Sequence, residues 1–326
     1  MDFIELGTSD RCISRLGFGC APASGHDYGP VEDSVWITSV QAALNGGINF
    51  FDVADVYGFG RVEELLARAL GERRHDVTIA TKGGLAWDEQ GRVTRDASPQ
   101  QIGRAIEGSL RRLRIDVIPL YQLHWPDPAI PVEETIAALA RFQKQGKIRH
   151  IGVSNFPIDL LERAAGVGHI ESQQVSYNLL SREIEDDVLP WCEAQQTSVL
   201  AHTGLARGLL AGKRPINSQF SGSDTRCRSP YFSSVGRTEK QRLLDALIQL
   251  SAKSGCSVGG IALRWILDNR SIAAVLVGIK NEAQLAENLE AVDWHMEQED
   301  RDLLTALSDA CPQSLAGTPA HGSTAR

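Results

Sequence analysis

The 326-residue chain lacks a Cys-x-x-Cys pair, a Lys/Arg tract, and any low-complexity segment before its final residues. Its six cysteines (Cys12, Cys20, Cys192, Cys227, Cys256, Cys311) are scattered, which argues against a disulfide framework or a zinc site. The two longest apolar stretches, 272–279 and 261–267, fall short of the roughly 18–20 residues that a membrane span needs. The first residues, Met-Asp-Phe-Ile-Glu-Leu-Gly, are acidic and have no apolar core, so no secretion signal is expected. Positive charge is also scarce: 33 basic against 41 acidic side chains leave a net charge of −8, and a nucleic-acid-binding face is not expected. With 42% hydrophobic and 23% charged residues, the composition is that of a globular protein able to bury a large core. These exclusions leave a cytoplasmic enzyme as the expected class, with no membrane or nucleic-acid partner, acting as a monomer or homo-oligomer.

What is present is a regular alternation. Short apolar, β-branched runs at 16–18, 48–51, 77–81, 118–123, 151–153, 174–176, 198–201 and 274–277 read as strands. Helical patterns at 34–44, 62–70, 99–113, 132–145, 158–165, 183–194, 239–268 and 282–289 separate or follow them. Ser98-Pro99 reads as a cap with proline in the first turn, and Gly71, Gly146 and Gly166 as helix ends. Strand–helix alternation implies parallel strands joined by right-handed crossovers. Eight units predict an α/β fold, a single (β/α)8 TIM barrel over residues 1–311, better than a doubly wound sheet. A β-hairpin around Gly-Thr-Ser-Asp should precede it and a C-terminal helix close it. The Gly/Pro/Ser/Thr-rich tail, 312–326, reads as disordered.

In such a barrel the C-terminal strand ends build the active site. Those ends carry Asp52, Lys82 and His124, with Tyr57 in the loop after the second strand. A phenol is a poor acid or base near neutral pH. A nearby ammonium favours the phenolate, and a carboxylate would hold that ammonium in place. The set therefore suits proton transfer to a carbonyl oxygen, with His124 orienting the substrate. No side chain can supply a hydride, so a nicotinamide cofactor is implied.

The motifs around these residues are Leu-Gly-Phe-Gly (16–19), Asn-Phe-Phe-Asp-Val-Ala-Asp-Val-Tyr-Gly (49–58), Ala-Thr-Lys-Gly (80–83) and Leu-His-Trp-Pro (123–126). Gly-Lys-Ile-Arg-His-Ile-Gly-Val-Ser-Asn-Phe (146–156), Gln-Val-Ser-Tyr-Asn-Leu-Leu-Ser-Arg (174–182), Gly-Leu-Leu-Ala-Gly-Lys (208–213) and Gln-Leu-Ala-Glu-Asn-Leu (284–289) continue the series. In kind and order they resemble the aldo-keto reductases, over roughly 3–309, and most closely the bacterial members grouped with potassium-channel β subunits. The resemblance implies a catalytic tetrad of Asp52, Tyr57, Lys82 and His124, with Tyr57 the general acid in carbonyl reduction. It assigns Ser154, Asn155 and Gln174 to the nicotinamide carboxamide, and Lys213 and Arg226 to cofactor phosphates under a folded-over loop. Gly19, Cys20, Asp52, His202, Thr203, Gly204, Leu205, Arg207, Gly278, Lys280, Gln284 and Asn288 complete the expected cofactor set.

The residues themselves add to this. The stretch 213–237 holds Lys213, Arg214, Arg226, Arg228 and Arg237 against the single acid Asp224, an excess suited to an anion. Gly278, Lys280, Gln284 and Asn288 open a helix whose N-terminus favours phosphate. Lys280 suits a 2′-phosphate, so NADP(H) is expected rather than NAD. The family's usual arginine at Gln284 is missing, as it is in the channel-β-like branch. His202 replaces a common aromatic residue, and its ionisation near neutral pH would make cofactor binding pH-sensitive. Cys20 replaces a common threonine, with only a packing difference expected.

Loop aromatics Trp87 and Trp125, with Tyr28, Tyr231 and Phe232 as further candidates, would line a substrate pocket with few charges, suited to a neutral aldehyde, ketone or sugar. Competing motifs fall short. Gly208-x-x-x-Gly212-Lys213 is one residue too short for a P-loop and lacks the Ser/Thr. Gly152-Val-Ser154-Asn-Phe lacks the last glycine of a nucleophile elbow, and no Gly-x-Gly-x-x-Gly follows the first strand. A glycosidase would need paired carboxylates; Asp55 and Glu63 are the available pair, and they read better as loop and helix polar residues. Two other functions stay open: an NAD-dependent sugar or aldose dehydrogenase on the same scaffold, and an NADP(H)-binding redox sensor with negligible turnover.

Overall fold

The structure, a computed structural model, describes residues 1–25, 29–220 and 224–313. An antiparallel hairpin, β1 (Phe3–Glu5) and β2 (Cys12–Ser14), comes first. The strands β3 (Leu16–Gly19), β4 (Phe50–Asp52) and β5 (Thr78–Gly83) follow. A second hairpin, β6 (Leu85–Trp87) and β7 (Val93–Arg95), precedes β8 (Ile118–Leu123), β9 (Ile148–Ser154), β10 (Ser172–Ser176), β11 (Ser198–His202) and β12 (Ile272–Gly278). Strands β3, β4, β5, β8, β9, β10, β11 and β12 form a closed parallel barrel in that order, with β12 pairing back to β3. This is the (β/α)8 TIM barrel expected from the alternation.

The helices are α1 (Asp33–Asn45), α2 (Arg61–Leu70), α3 (Pro99–Leu113), α4 (Val132–Lys144), α5 (Ile158–Ala165), α6 (Val188–Ala194), α7 (Arg237–Ser254), α8 (Val258–Leu267), α9 (Glu282–Asp293) and α10 (Gln298–Asp309). Ser98 Oγ accepts from the Gln101 N–H at the head of α3, with Pro99 in its first turn. The single helical region expected over 239–268 is two helices. Gly255, at φ +75°, ends α7 in the left-handed region, and Ser257 restarts the chain by capping α8 through the Gly260 N–H at 3.1 Å. The region expected over 183–194 likewise starts as a 3-10 turn, Glu183–Glu185. The β6–β7 hairpin has strands of only three residues, too short for any periodicity to announce. Of the expected disordered tail, 314–326 lies outside the described residues.

Inside the barrel, Phe50, Ala80, Leu120, Leu200, Ala274 and Leu276 pack with Leu6 and Ile13, so the first hairpin closes the N-terminal end. Successive side chains on a strand alternate faces. Two residues beyond Phe50, Ala80, Leu120 and Leu200 therefore stand Asp52, Lys82, Gln122 and His202. An apolar floor thus carries a polar layer at the C-terminal end. Among the described residues no helix is long and apolar enough to cross a membrane.

Candidate active site

At the centre of the polar layer, Lys82 Nζ donates to both Asp52 carboxylate oxygens at 2.7 Å and to the Val53 carbonyl at 3.1 Å. Both side chains are buried. Gln174 Nε2 donates to Asp52 Oδ2 at 2.8 Å and to Gln122 Oε1 at 3.1 Å, and Gln122 Nε2 donates to Ser172 Oγ at 3.2 Å. The layer therefore ties β4, β5, β8 and β10 together. Gln122 was not anticipated, although it stands two residues before His124 on the same strand face, a spacing that would have flagged it.

Tyr57 and His124 stand beside the ion pair. Their rings meet edge to face, centroids 5.9 Å apart at 82°, and Lys82 Nζ is 5.4 Å from the Tyr57 ring centroid. The loop that carries Tyr57 is held by Asp55 N–H donating to the Lys82 carbonyl at 3.2 Å and Tyr57 N–H to the Ala54 carbonyl at 3.1 Å. It turns into α2 through Gly58, Phe59 and Gly60, all at positive φ. The four residues expected to form the tetrad are thus gathered at one mouth.

A second group joins the ends of β9 and β11. Asn155, at φ 60°, donates from Nδ2 to the His124 carbonyl at 3.3 Å and to Ser154 Oγ at 2.9 Å. Its Oδ1 is 3.1 Å from His202 Nε2, and His202 Nδ1 is 2.8 Å from Thr203 Oγ1. Burial, then the neighbouring charges of Lys82 and Arg207, hold the His202 imidazole down at about 3. The expectation that His202 ionises near neutral pH is corrected accordingly: charging it would desolvate a cation facing two others.

The segment after β11 runs through Thr203, Ala206 and Arg207, all at positive φ. A Cβ on Gly204 would come within 2.9 Å of Val275 Cγ2, so this backbone lies flat on the barrel wall. Gly19 pairs with Gly278 across β3 and β12, and the Cys20 N–H donates to the Asp52 carbonyl at 2.8 Å. The Cys20 thiol is buried, and desolvation followed by the Asp52 charge pushes its pKa up. Asn178 was also missed; its amide donates to the Thr203 carbonyl at 3.1 Å and the Tyr231 hydroxyl at 3.2 Å. Tyr231 is buried in that network, and Phe232 packs against Phe220 and the core.

After β12, next to β11 in the barrel, Asn281 caps α9 by accepting from the Gln284 N–H at 3.0 Å, while Gln284 Oε1 accepts from the Lys280 N–H at 2.9 Å. The Lys280 ammonium is depressed by burial, then by Arg226, with Arg214 contributing and Asp224 opposing. Arg226 is bound to Asp224, Nη2 to Oδ2 at 2.6 Å, and lies over the Phe220 ring at 4.6 Å. Lys213 forms an ion pair with Glu287 on α9, Nζ within 2.6 Å of both oxygens. The pair ties the loop after β11 to α9. Asn288 is buried in α9.

Around the outer rim, Trp87 on β6 lies 5.7 Å from Phe59, which the sequence reading missed. Arg95 on β7 covers the Trp125 ring at 5.3 Å and donates to the Pro126 carbonyl at 3.0 Å. Tyr28 lies outside the described residues. Asp55, in the loop after β4, and Glu63, in α2, are both buried. Glu63 accepts from Thr81 Oγ1 and Arg112 Nε, both at 2.6 Å. Burial, then the Glu63 charge, pushes the Asp55 carboxyl well up.

A model of the aldo/keto reductase family matches residues 15–309. Aldo-keto reductase YhdN of Bacillus subtilis is 36% identical, the match covering 95% of this chain and 94% of that protein. The NADH-specific methylglyoxal reductase of Escherichia coli is 29% identical, over 95% and 99% of the two chains. Among solved structures, glycerol dehydrogenase AKR11B4 from Gluconobacter oxydans superposes with a TM-score of 0.88 at 34% identity, covering 96% of this chain and 97% of its own. Barrel, strand-end polar layer and near-complete sequence match agree, and the chain belongs to the aldo/keto reductase family of oxidoreductases.

Proposed function

We propose that this protein reduces a small aldehyde or ketone to the alcohol with NADP(H), using Tyr57 as the proton donor. The observation that carries the reading is the Tyr57–His124 edge-to-face pair standing over the buried Lys82–Asp52 ion pair. A bound reduced nicotinamide supplies the hydride to the carbonyl carbon. Tyr57 then delivers its hydroxyl proton to the carbonyl oxygen, and the adjacent ammonium stabilises the phenolate left behind. His124 orients that oxygen, and Asp52 holds Lys82 in place.

The donor set fits the cofactor. Ser154, Asn155 and Gln174 offer amide and hydroxyl groups suited to an amide-bearing ring. Lys280 and Arg226, with Arg214 near, crowd like charges at the head of α9, an arrangement that an anion relieves. The backbone of Gly19, Cys20, Thr203, Gly204, Leu205, Arg207 and Gly278, with His202, Gln284 and Asn288, would complete the cradle. Trp87, Trp125 and Phe59 supply an aromatic rim for an uncharged substrate.

A second reading has its own support. The Escherichia coli relative is named NADH-specific and the Gluconobacter oxydans one a glycerol dehydrogenase, so use of NAD, or turnover toward oxidation, is the competing assignment. Fluorescence titration with NADPH and NADH separates the cofactors, and a panel of methylglyoxal, dihydroxyacetone and glycerol tests the substrate class in both directions. Tight NADPH binding with carbonyl reduction supports the reading. Binding of neither nucleotide overturns it, and preferential NADH binding transfers it to the alternative.

A further inference from the structure

We infer that His202 is a positioning residue: as a neutral Nε2–H imidazole it anchors the Asn155 amide oxygen, and through it sets the affinity for the nicotinamide half of the cofactor. The inference rests on the proposed function and deepens it.

The argument begins with a group that can only accept. The His124 backbone carbonyl lies 3.3 Å from the Asn155 side chain, and a carbonyl has no proton to give. The amide end facing it must be the NH2, which also reaches Ser154 Oγ at 2.9 Å. Asn155 Oδ1 therefore points the other way, to His202 Nε2 at 3.1 Å. An amide oxygen also accepts only, so Nε2 must carry the proton. His202 Nδ1 is then bare and accepts from the Thr203 hydroxyl at 2.8 Å. Of the two neutral tautomers, only this one satisfies every contact in the chain Thr203–His202–Asn155–His124.

A second proton on the imidazole would turn the Thr203 hydroxyl from donor to acceptor, and would place a third charge in a buried setting beside Lys82 and Arg207, the two cations acting on this ring. The neutral form is therefore the one this surrounding holds. Backbone conformation reinforces the point. Asn155 and Thr203 both sit at φ 60°, where a side chain is directed by its turn rather than by regular strand pleating. Each residue is thus held at the backbone, and the imidazole spans them between β9 and β11.

The consequence is an amide presented in one orientation only. Its Oδ1 uses one lone pair on His202 and keeps a second to accept from the amino group of a nicotinamide carboxamide. A phenyl or phenol ring at position 202 offers no ring nitrogen to make this link, so Asn155 Oδ1 would lose its donor and the amide would be held only through its NH2, by the His124 carbonyl and Ser154 Oγ.

The test uses the full chain and three readouts. In the cofactor-free protein, the 15N spectrum of the histidine side chains, assigned by the signal lost in His202→Gln, should show protonated Nε2 and bare Nδ1 near pH 7. An Nδ1–H tautomer or an imidazolium overturns the inference. His202→Phe should weaken NADPH binding about three- to tenfold, the worth of one hydrogen bond, while 2′,5′-ADP, which carries no nicotinamide, binds as before. His202→Gln, whose amide nitrogen can take the place of Nε2–H, should recover affinity to within about twofold. Equal losses for NADPH and 2′,5′-ADP, or no loss for either, overturn the proposal. The tautomer readout needs no cofactor, so a wild-type protein that binds neither NADPH nor NADH would overturn the functional reading through the titration alone, with the spectrum still judging the His202 geometry.

Discussion

Lys82 Nζ sits 2.7 Å from each carboxylate oxygen of Asp52, with the two side chains only 1% and 7% exposed. A buried pair of this kind stabilises mainly by each partner forbidding the other's isolation. Asp52→Leu should therefore cost about 3–5 kcal/mol, and Lys82→Met combined with Asp52→Leu much less than the sum of the two single changes. Urea denaturation of the four proteins measures this, and additive losses would show that the charges are not coupled.

Loss of the Tyr57 hydroxyl removes the proposed proton donor without touching the cofactor contacts. Tyr57→Phe should lower kcat for carbonyl reduction by about 10²–10⁴-fold, the usual worth of a positioned acid, with NADPH affinity changed less than about twofold. Stopped-flow turnover beside fluorescence titration checks both parts. Retained turnover would assign the acid elsewhere.

Asp55 carries a carboxyl that burial, then the Glu63 charge, pushes well above its ordinary range. Below the unfolded pKa both states hold the proton and the group is neutral in its effect. As pH rises past that value only the unfolded chain gives up its proton readily, so the native state loses ground up to the raised native pKa. Asp55→Asn should therefore raise Tm more at pH 8 than at pH 5, judged by calorimetry at both. A gain that is the same at both pH values would refute the shift.

Burial, then the charge of Arg226, with Asp224 opposing and Arg214 adding, depresses the Lys280 ammonium just before α9, the residue proposed for a 2′-phosphate. Lys280→Met should weaken NADPH binding about tenfold, worth 1.4 kcal/mol, and leave NADH nearly unaffected. Isothermal titration with both nucleotides decides it; equal weakening would move the 2′-phosphate contact to another residue.

His202 stays neutral in this surrounding, so the affinity ratio between wild type and His202→Gln for NADPH should not change between about pH 5.5 and 8. The ratio matters because the 2′-phosphate itself titrates near pH 6. A ratio that climbs as pH falls through 6.5 would mean that the imidazole takes up a proton after all.

Strand parity carried much of this protein in its sequence. Apolar residues at positions 50, 80 and 120 followed two residues later by Asp52, Lys82 and Gln122 dictate an apolar floor under a polar layer, because neighbouring side chains alternate faces whatever the rest of the chain does. Helix caps such as Ser98 and the barrel order are local in the same sense. What the tertiary structure alone decided are the relations between distant segments. Glu63 is buried because Thr81 and Arg112 arrive from β5 and α3, and Lys213 is engaged because Glu287, 74 residues later, lies beside it. His202 is held toward its neutral form because burial strips it of water and the charges of Lys82 and Arg207 act on it, while Asn155 and Thr203 engage its two nitrogens. Periodicity reports which face a side chain takes. The partner it meets there, and hence its charge, is fixed only when the barrel closes.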